Sequence, residues 1–103
     1  MLNIRILIIE DEADIVEFLE LELKHEGYET KASLDGRSGL SLALQEPFDL
    51  ILLDVMLPQM NGIEVLRRIR KEKDVPVILL TAHGTIVDKV TGLDNEGFGA
   101  RCR

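Results

Sequence analysis

Two apolar runs in this sequence end abruptly in carboxylates. Residues 3–9 lead into Glu10-Asp11-Glu12, and Leu50-Ile51-Leu52-Leu53 leads into Asp54. A third run, 76–80, ends at the hydroxyl of Thr81. Clustered carboxylates repel one another, so such a site needs a cation or raised pKa values. One or two carboxylates plus a backbone carbonyl form an oxygen donor set that suits Mg²⁺, which keeps several waters and recruits phosphate oxygens. A carboxylate beside Mg²⁺ can also attack phosphorus and form an aspartyl phosphate, while the metal neutralises charge on the transferring group. The plainer alternative is that acidic residues at a helix start complement the helix dipole. That alternative describes Glu12 and Asp14 better and fits Glu10 and Asp11 equally well. It fails for Asp54, because a lone carboxylate after four apolar residues would be costly to bury unpaired.

The segments that must position these groups alternate along the chain. Residues 3–9 read as a buried strand, rich in β-branched residues. Residues 13–26 follow as a helix with Val16, Leu19 and Leu23 inward, Gly27 as its C-terminal stop and His25 near its end as a dipole-complementing surface residue. Residues 28–33 suggest a weaker, edge-like strand. Asp35-Gly36 is a turn signal with Asp35 as N-cap of a short helix over 37–45, and Pro47 lies just past its end. Residues 49–53 are the third strand, and Pro58 and Asn61-Gly62 mark a loop. A helix over 63–73 is predicted with Ile63, Leu66 and Ile69 inward and Arg67, Arg68, Arg70, Lys71 and Lys73 mostly outward, as a solvated basic face. Residues 76–80 are the fourth strand, and Ile86, Val90 and Leu93 predict a fourth helix over 85–94. Continuously apolar strands between amphipathic helices imply an α/β fold, a doubly wound parallel sheet covered on both faces in three layers. Chemistry then belongs beyond the carboxyl ends of the strands, where the strand order reverses. If strand two lies outside strand one, Asp11 and Asp54 face each other across that crevice.

Composition narrows the function classes. The 103 residues allow one domain, with 46% hydrophobic and 30% charged side chains. A chain of this size buries roughly 60–70% of its unfolded surface, enough for one core. Its aromatics are Phe18, Tyr28, Phe48 and Phe98, so the core is aliphatic and stacking platforms for nucleic acid are absent. Nineteen acidic against twelve basic side chains give a formal charge of −7, which disfavours direct nucleic-acid binding and favours cations or basic partners. The single cysteine, Cys102, excludes an internal disulfide and a cysteine-based zinc cluster and leaves a free thiol. No apolar run approaches the roughly 20 residues of a membrane span, and Met1 leads into a strand without a signal-peptide pattern, so a cytoplasmic location is expected.

Glu10-Asp11 after the first strand, the stretch from Leu53-Asp54 through Pro58 to Asn61-Gly62 after the third, and Leu80-Thr81-Ala82 after the fourth resemble the receiver domain of two-component response regulators. The likeness is greatest to OmpR-like receivers, which precede a DNA-binding domain, and it covers about residues 3–95. The ordered set with its spacing is far more specific than any one motif in it. The resemblance implies a flavodoxin-like strand order 2-1-3-4-(5), with residues 1–95 as the receiver-like domain and 96–103 as an atypical tail. It further implies Asp54 as phospho-acceptor and Asp11 as a Mg²⁺ ligand, with Glu10 bound directly or through water. The backbone carbonyl of Met56 is then the third protein ligand and Thr81 the switch hydroxyl. A sensor histidine kinase would donate the phosphoryl group. The chain would be a signalling switch that at most catalyses its own phosphorylation and dephosphorylation. His83, close to Thr81, reads as a solvated loop histidine.

The resemblance also implies a fifth strand ending in Lys-Pro and a fifth helix. Here the segment from Gly92 to Arg103 carries no Lys-Pro, so no phosphate-binding lysine is assigned; Arg103 differs from lysine in geometry and does not replace it. Without the last helix three or four apolar side chains lose their cover, a cost of about 5–12 kcal/mol at roughly 1.5–3 kcal/mol each. Total domain stability is of the same order, about 5–15 kcal/mol. The chain is therefore expected to be marginal as a monomer and to self-associate through an exposed sheet face or edge. The competing function is a degenerate receiver that binds proteins without phosphorylation. A haloacid-dehalogenase-like phosphatase would need a second Asp where Met56 stands, Glu10-Asp11-Glu12 would repel a flavin phosphate, and no Gly-rich loop ends in Lys-Ser or Lys-Thr.

Overall fold

β-Branched and leucine side chains fill the central strands, and their alternation divides the core in two. In this computed structural model, which describes residues 3–80 and the backbone of 86–90, the elements run β1 (Arg5–Ile9), α1 (Ala13–His25), β2 (Glu29–Ser33), α2 (Gly36–Gln45), β3 (Leu50–Asp54), α3 (Gly62–Glu72), β4 (Val77–Leu80) and β5 (Ile86–Val90). The sheet order is β2-β1-β3-β4-β5, and the first four strands are parallel. Successive strand residues point to opposite faces. Leu7, Ile9, Ile51, Leu53, Val77 and Leu79 therefore pack with Ala43, Val65 and Ile69 of α2 and α3. Ile6, Ile8, Leu52 and Leu80 pack with Val16, Leu19 and Leu23 of α1. Burial on both faces explains why β1 and β3 read as unbroken apolar runs. The edge strand β2, Glu29–Ser33, buries only Ser33.

Local chemistry sets the element ends. Asp35 Oδ1 accepts from the Ser38 N–H at 2.7 Å and starts α2; Asn61 Oδ1 accepts from the Glu64 N–H at 3.0 Å and starts α3. Gly27 closes α1 at φ +94°, a conformation that favours glycine. At the amino ends of the strands Arg5 ties β1 to the connection between α2 and β3. Its Nη1 donates to the Pro47 carbonyl at 2.8 Å and its Nη2 to Glu46 Oε1 at 3.0 Å, and the guanidinium lies 4.6 Å from the centre of the Phe48 ring. Lys31 Nζ meets Glu46 Oε2 at 3.2 Å.

Three expectations are corrected. Residues 86–90 form a strand antiparallel to β4, with Val77 opposite Val90 and Leu80 opposite Ile86, not part of a fourth helix. The open backbone groups along β4 and the β-branched Ile86, Val87 and Val90 favour pairing over a helix. This strand also covers the β4 edge of the sheet. Ile63 is 46% exposed, while Gly62, Val65 and Ile69 form the buried stripe of α3. Because the helix starts at Gly62, the inward positions are i, i+3 and i+7, and Ile63 lies about 100° off them. Lys73 is not a solvated charge: its Nζ donates to the carbonyls of Ala43 and Glu46 at 2.7 and 2.9 Å, closing the end of α2. The predicted roles or settings of Thr81, His83, Leu93, Phe98, Cys102 and Arg103 fall outside the described residues.

Candidate functional site

The crevice forms where the chain leaves β1 for β2 on one side and returns to β3 on the other. Ile9 pairs with Leu53, so Glu10 and Asp54 leave their strands at the same level, side by side. The Glu10 N–H continues the ladder by donating to the Ser33 carbonyl at 3.1 Å. Glu10, Asp11 and Asp54 each present a carboxylate oxygen within 4.8 Å of the other two. Glu10 is fully buried and Asp54 is 2% exposed, whereas Asp11 faces solvent.

The hydrogen bonds leave this cluster short of positive charge. Glu10 Oε2 accepts from the Glu12 N–H at 3.1 Å, and Asp54 Oδ1 accepts from the Met56 N–H at 3.0 Å. Among the described residues Glu10 Oε1 is buried with no hydrogen-bond partner. Among the described residues no salt bridge reaches any of the three. Burial, and then the charges of Asp54 and Asp11, push the Glu10 carboxyl up to about 7 against the opposing Glu12 N–H bond. Burial likewise raises the Asp54 carboxyl, aided by the charge of Asp11 and opposed by the Met56 N–H. An orphaned buried oxygen facing two other carboxylates is a donor set that fits a hard divalent cation such as Mg²⁺.

The loop after β3 is held tightly against this site. The Val55 N–H donates to the Leu80 carbonyl at 3.0 Å, and the Gly62 N–H to the Val55 carbonyl at 3.0 Å. A Cβ at Gly62 would overlap the Asp54 carbonyl oxygen and crowd the Val55 backbone. Between them Gln59 stands at φ +66°, and the Met60 N–H returns to the Pro58 carbonyl at 2.6 Å, a γ-turn. Sequence reasoning placed a loop here but missed the glycine's close approach and the Met56 N–H on the Asp54 carboxylate. The Pro58 and Asn61-Gly62 signals could have pointed to the first; a backbone donor leaves no mark in side-chain chemistry. Glu10, Asp11 and Asp54 come together as expected, with Met56 next to them. Asp54 also pairs with Leu80 across the sheet, which sets the end of β4 beside it; Thr81 itself lies outside the described residues.

A mainly parallel α/β sheet with a buried carboxylate cluster at its switch point defines a class of acidic site suited to a hard cation, and comparison with known proteins makes that specific. Residues 6–100 match the response regulator receiver domain family, and the chain belongs to it, a receiver of two-component phosphorelay signalling. Over 89 residues it is 51% identical to response regulator ArlR of Staphylococcus haemolyticus, covering 86% of this chain and 41% of that protein. The chain thus spans about two fifths of that relative's length. A CheY-like receiver domain protein from Methanospirillum hungatei JF-1 superposes with a TM-score of 0.77 at 30% identity, over 96% of this chain and 74% of that one. The response regulator TrrA of Thermotoga maritima, in complex with Mg(2+)-BeF, superposes with a TM-score of 0.74 at 42% identity, over 77% of this chain and 70% of that one. TrrA in complex with the histidine kinase ThkA gives a TM-score of 0.72 at 42% identity, over 77% and 69% of the two chains.

Proposed function

We propose that this chain accepts a phosphoryl group on Asp54 from a sensor histidine kinase. The carboxylates of Asp11 and Asp54, the backbone carbonyl of Met56 and Glu10, directly or through water, would hold Mg²⁺ or another divalent cation. When bound, the cation supplies charge neutralisation for the transferring group. The chain's own residues do the rest. Asp54 provides the attacking oxygen, and the Met56 N–H orients its carboxylate. The new bond joins an Asp54 oxygen to phosphorus as the phosphorus–nitrogen bond to the kinase histidine breaks, and the departing imidazole nitrogen takes up a proton. Thr81 serves as the switch hydroxyl that bonds a phosphoryl oxygen and draws its loop inward. Residues 1–95 act as the receiver unit and 96–103 as a separate tail. The switch at most catalyses its own phosphorylation and dephosphorylation, acts in the cytoplasm and passes its signal to an output such as transcription. None of its described helices is long and apolar enough to cross a membrane.

The observation that carries this proposal is a buried Asp54 within 4.8 Å of two further carboxylates. The relatives in complex with Mg(2+)-BeF and with a histidine kinase support it. The test is intact mass after incubation with Mg²⁺ and acetyl phosphate, with Asp54→Asn as control. A metal-dependent gain of one phosphoryl group, lost in the control, is expected. No gain from a folded sample would favour the second reading, a phosphorylation-independent binding module. That reading draws on the absence of a Lys-Pro pair from residues 91–103. Self-association also belongs to the proposal, and a concentration series in sedimentation velocity checks it.

A further inference from the structure

Away from the carboxylate cluster, two unlike helical surfaces stand on opposite sides of the sheet. On α1, Asp14, Glu17, Phe18 and Leu21 fall at i, i+3, i+4 and i+7 and are all exposed, Phe18 at 60% and Leu21 at 65%. That spacing forms one stripe, two apolar anchors edged by acid. Across the molecule a groove of about 450 Å³ runs between α2 and α3. Leu40 and Leu44 contribute its apolar side, and Arg67, Arg68 and Lys71 its basic wall. Glu64 is held by Arg68 at 2.8 Å and Arg67 at 3.4 Å, so the wall keeps a positive excess. Arg37 lines an adjoining hollow that shares Glu64 and Arg68.

We infer that the α1 stripe of a second copy of this chain docks in the α2–α3 groove. Charge complementarity selects this occupant. The α1 sequence carries Asp14, Glu17, Glu20 and Glu22 against Lys24, while the groove and its hollow present Arg37, Arg67, Arg68 and Lys71 against Glu64 and Glu72. This cationic surface sits on a chain of net charge −7. Helix lengths match: α1 spans 13 residues and α3 spans 11, about 20 and 16 Å at the helical rise of about 1.5 Å per residue. An amphipathic helix laid in a groove by anchors at this spacing is a general recognition mode. Because α1 packs on the Ile6/Ile8 face and α2 and α3 on the Leu7/Ile9 face, each copy offers a helix on one side and a groove on the other. The contact is head-to-tail. It rests on exposed charges and two anchors, so it is weak and sensitive to salt.

Sedimentation velocity on the full chain tests this with two double variants at exposed positions, each checked for a parental circular-dichroism spectrum and melt. Phe18→Ser/Leu21→Ser removes the anchors and leaves the groove; Arg67→Gln/Arg68→Gln weakens the groove and leaves α1. The parent should associate with concentration, at least about fivefold more weakly at about 500 mM than at about 50 mM NaCl. Each variant alone should associate at least about tenfold more weakly. An equimolar mixture should recover parental affinity but stop at a one-to-one pair, since only one intact helix meets one intact groove. A parent that stays monomeric to about 1 mM, a millimolar contact being worth only about 4 kcal/mol, overturns the inference and leaves the groove to an acidic helix of another protein. Association that survives both variants, as contact through a sheet face or edge would, overturns it too, and so does a mixture that does not pair.

Discussion

The two ends of the sheet treat buried and half-buried carboxylates in opposite ways. At the amino ends of the strands, hydrogen bonds from Arg5 and then Lys31 hold Glu46 below the usual carboxylate range. At the carboxyl ends, burial pushes Glu10 and Asp54 above it. The difference lies in who supplies the cation. Arg5 and Lys31 come from the chain, so that end is a finished structural joint. Among the described residues Glu10 Oε1 has no hydrogen-bond partner and no salt bridge reaches the cluster, so the other end is a donor set that suits a cation from outside. The fold thus anchors itself at one end and keeps the other electrostatically incomplete.

Substitutions can break this contrast or sharpen it. The largest effect is expected from Gly62→Val, where the added Cβ meets the Asp54 carbonyl oxygen and the Val55 backbone. Neither can move without disturbing β3, so a loss of about 3 kcal/mol or more should appear in chemical denaturation. Next comes Arg5→Ala, which removes the bonds to Pro47 and Glu46 and the contact with Phe48. It should cost about 2 kcal/mol in the same measurement and leave Mg²⁺ affinity by titration calorimetry unchanged. If Arg5→Ala weakens Mg²⁺ binding, the two ends are not independent.

Glu10→Gln should act with the opposite sign. It removes a buried charge without a cation, so the metal-free protein should gain about 1 kcal/mol near pH 8, while Mg²⁺ binding weakens about tenfold. A destabilised metal-free variant would show that Glu10 is structural, like Glu46. The gentlest probe is pH. The folded-state pKa of Glu10 is about 7 against an ordinary 4.5, so between these values the folded state keeps a proton that the unfolded state has lost. Raising pH through this window withdraws stability from the metal-free protein, and the loss ends above pH 7. Thermal melts should fall accordingly, and saturating Mg²⁺ should flatten the trend. A metal-free melting temperature that rises from pH 5 to pH 7.5 would contradict the assignment.

Much of this could be read from the sequence because the relevant signals were local. The runs at β1, β3 and β4 are too apolar for anything but buried strands, Asp35 sits where a cap must sit, and four apolar residues before Asp54 leave it no plain structural explanation. Where competing signals had similar strength, sequence reasoning failed. Ile86 and Val90 satisfy a helical period, yet the same β-branched residues suit a strand, and the open edge of β4 tips the balance. Ile63 and Val65 are both apolar, and only the position of the Asn61 cap, which starts α3 at Gly62, selects Val65 for the core.

By itself, the sequence determined the succession of elements through β4, the sidedness of α1 and the identity of the clustered carboxylates, because burial periodicity and residue chemistry act over a few residues. Tertiary structure alone decided that Glu10 is fully buried with one oxygen unpartnered, that Asp54 takes a backbone N–H from Met56, that Gly62 lies against the Asp54 carbonyl, and that Lys73 closes α2. Each depends on a distance between segments remote in the chain or on the path of a loop. Such distances are set by the packing of the whole sheet and its helices, which no local pattern of side chains records.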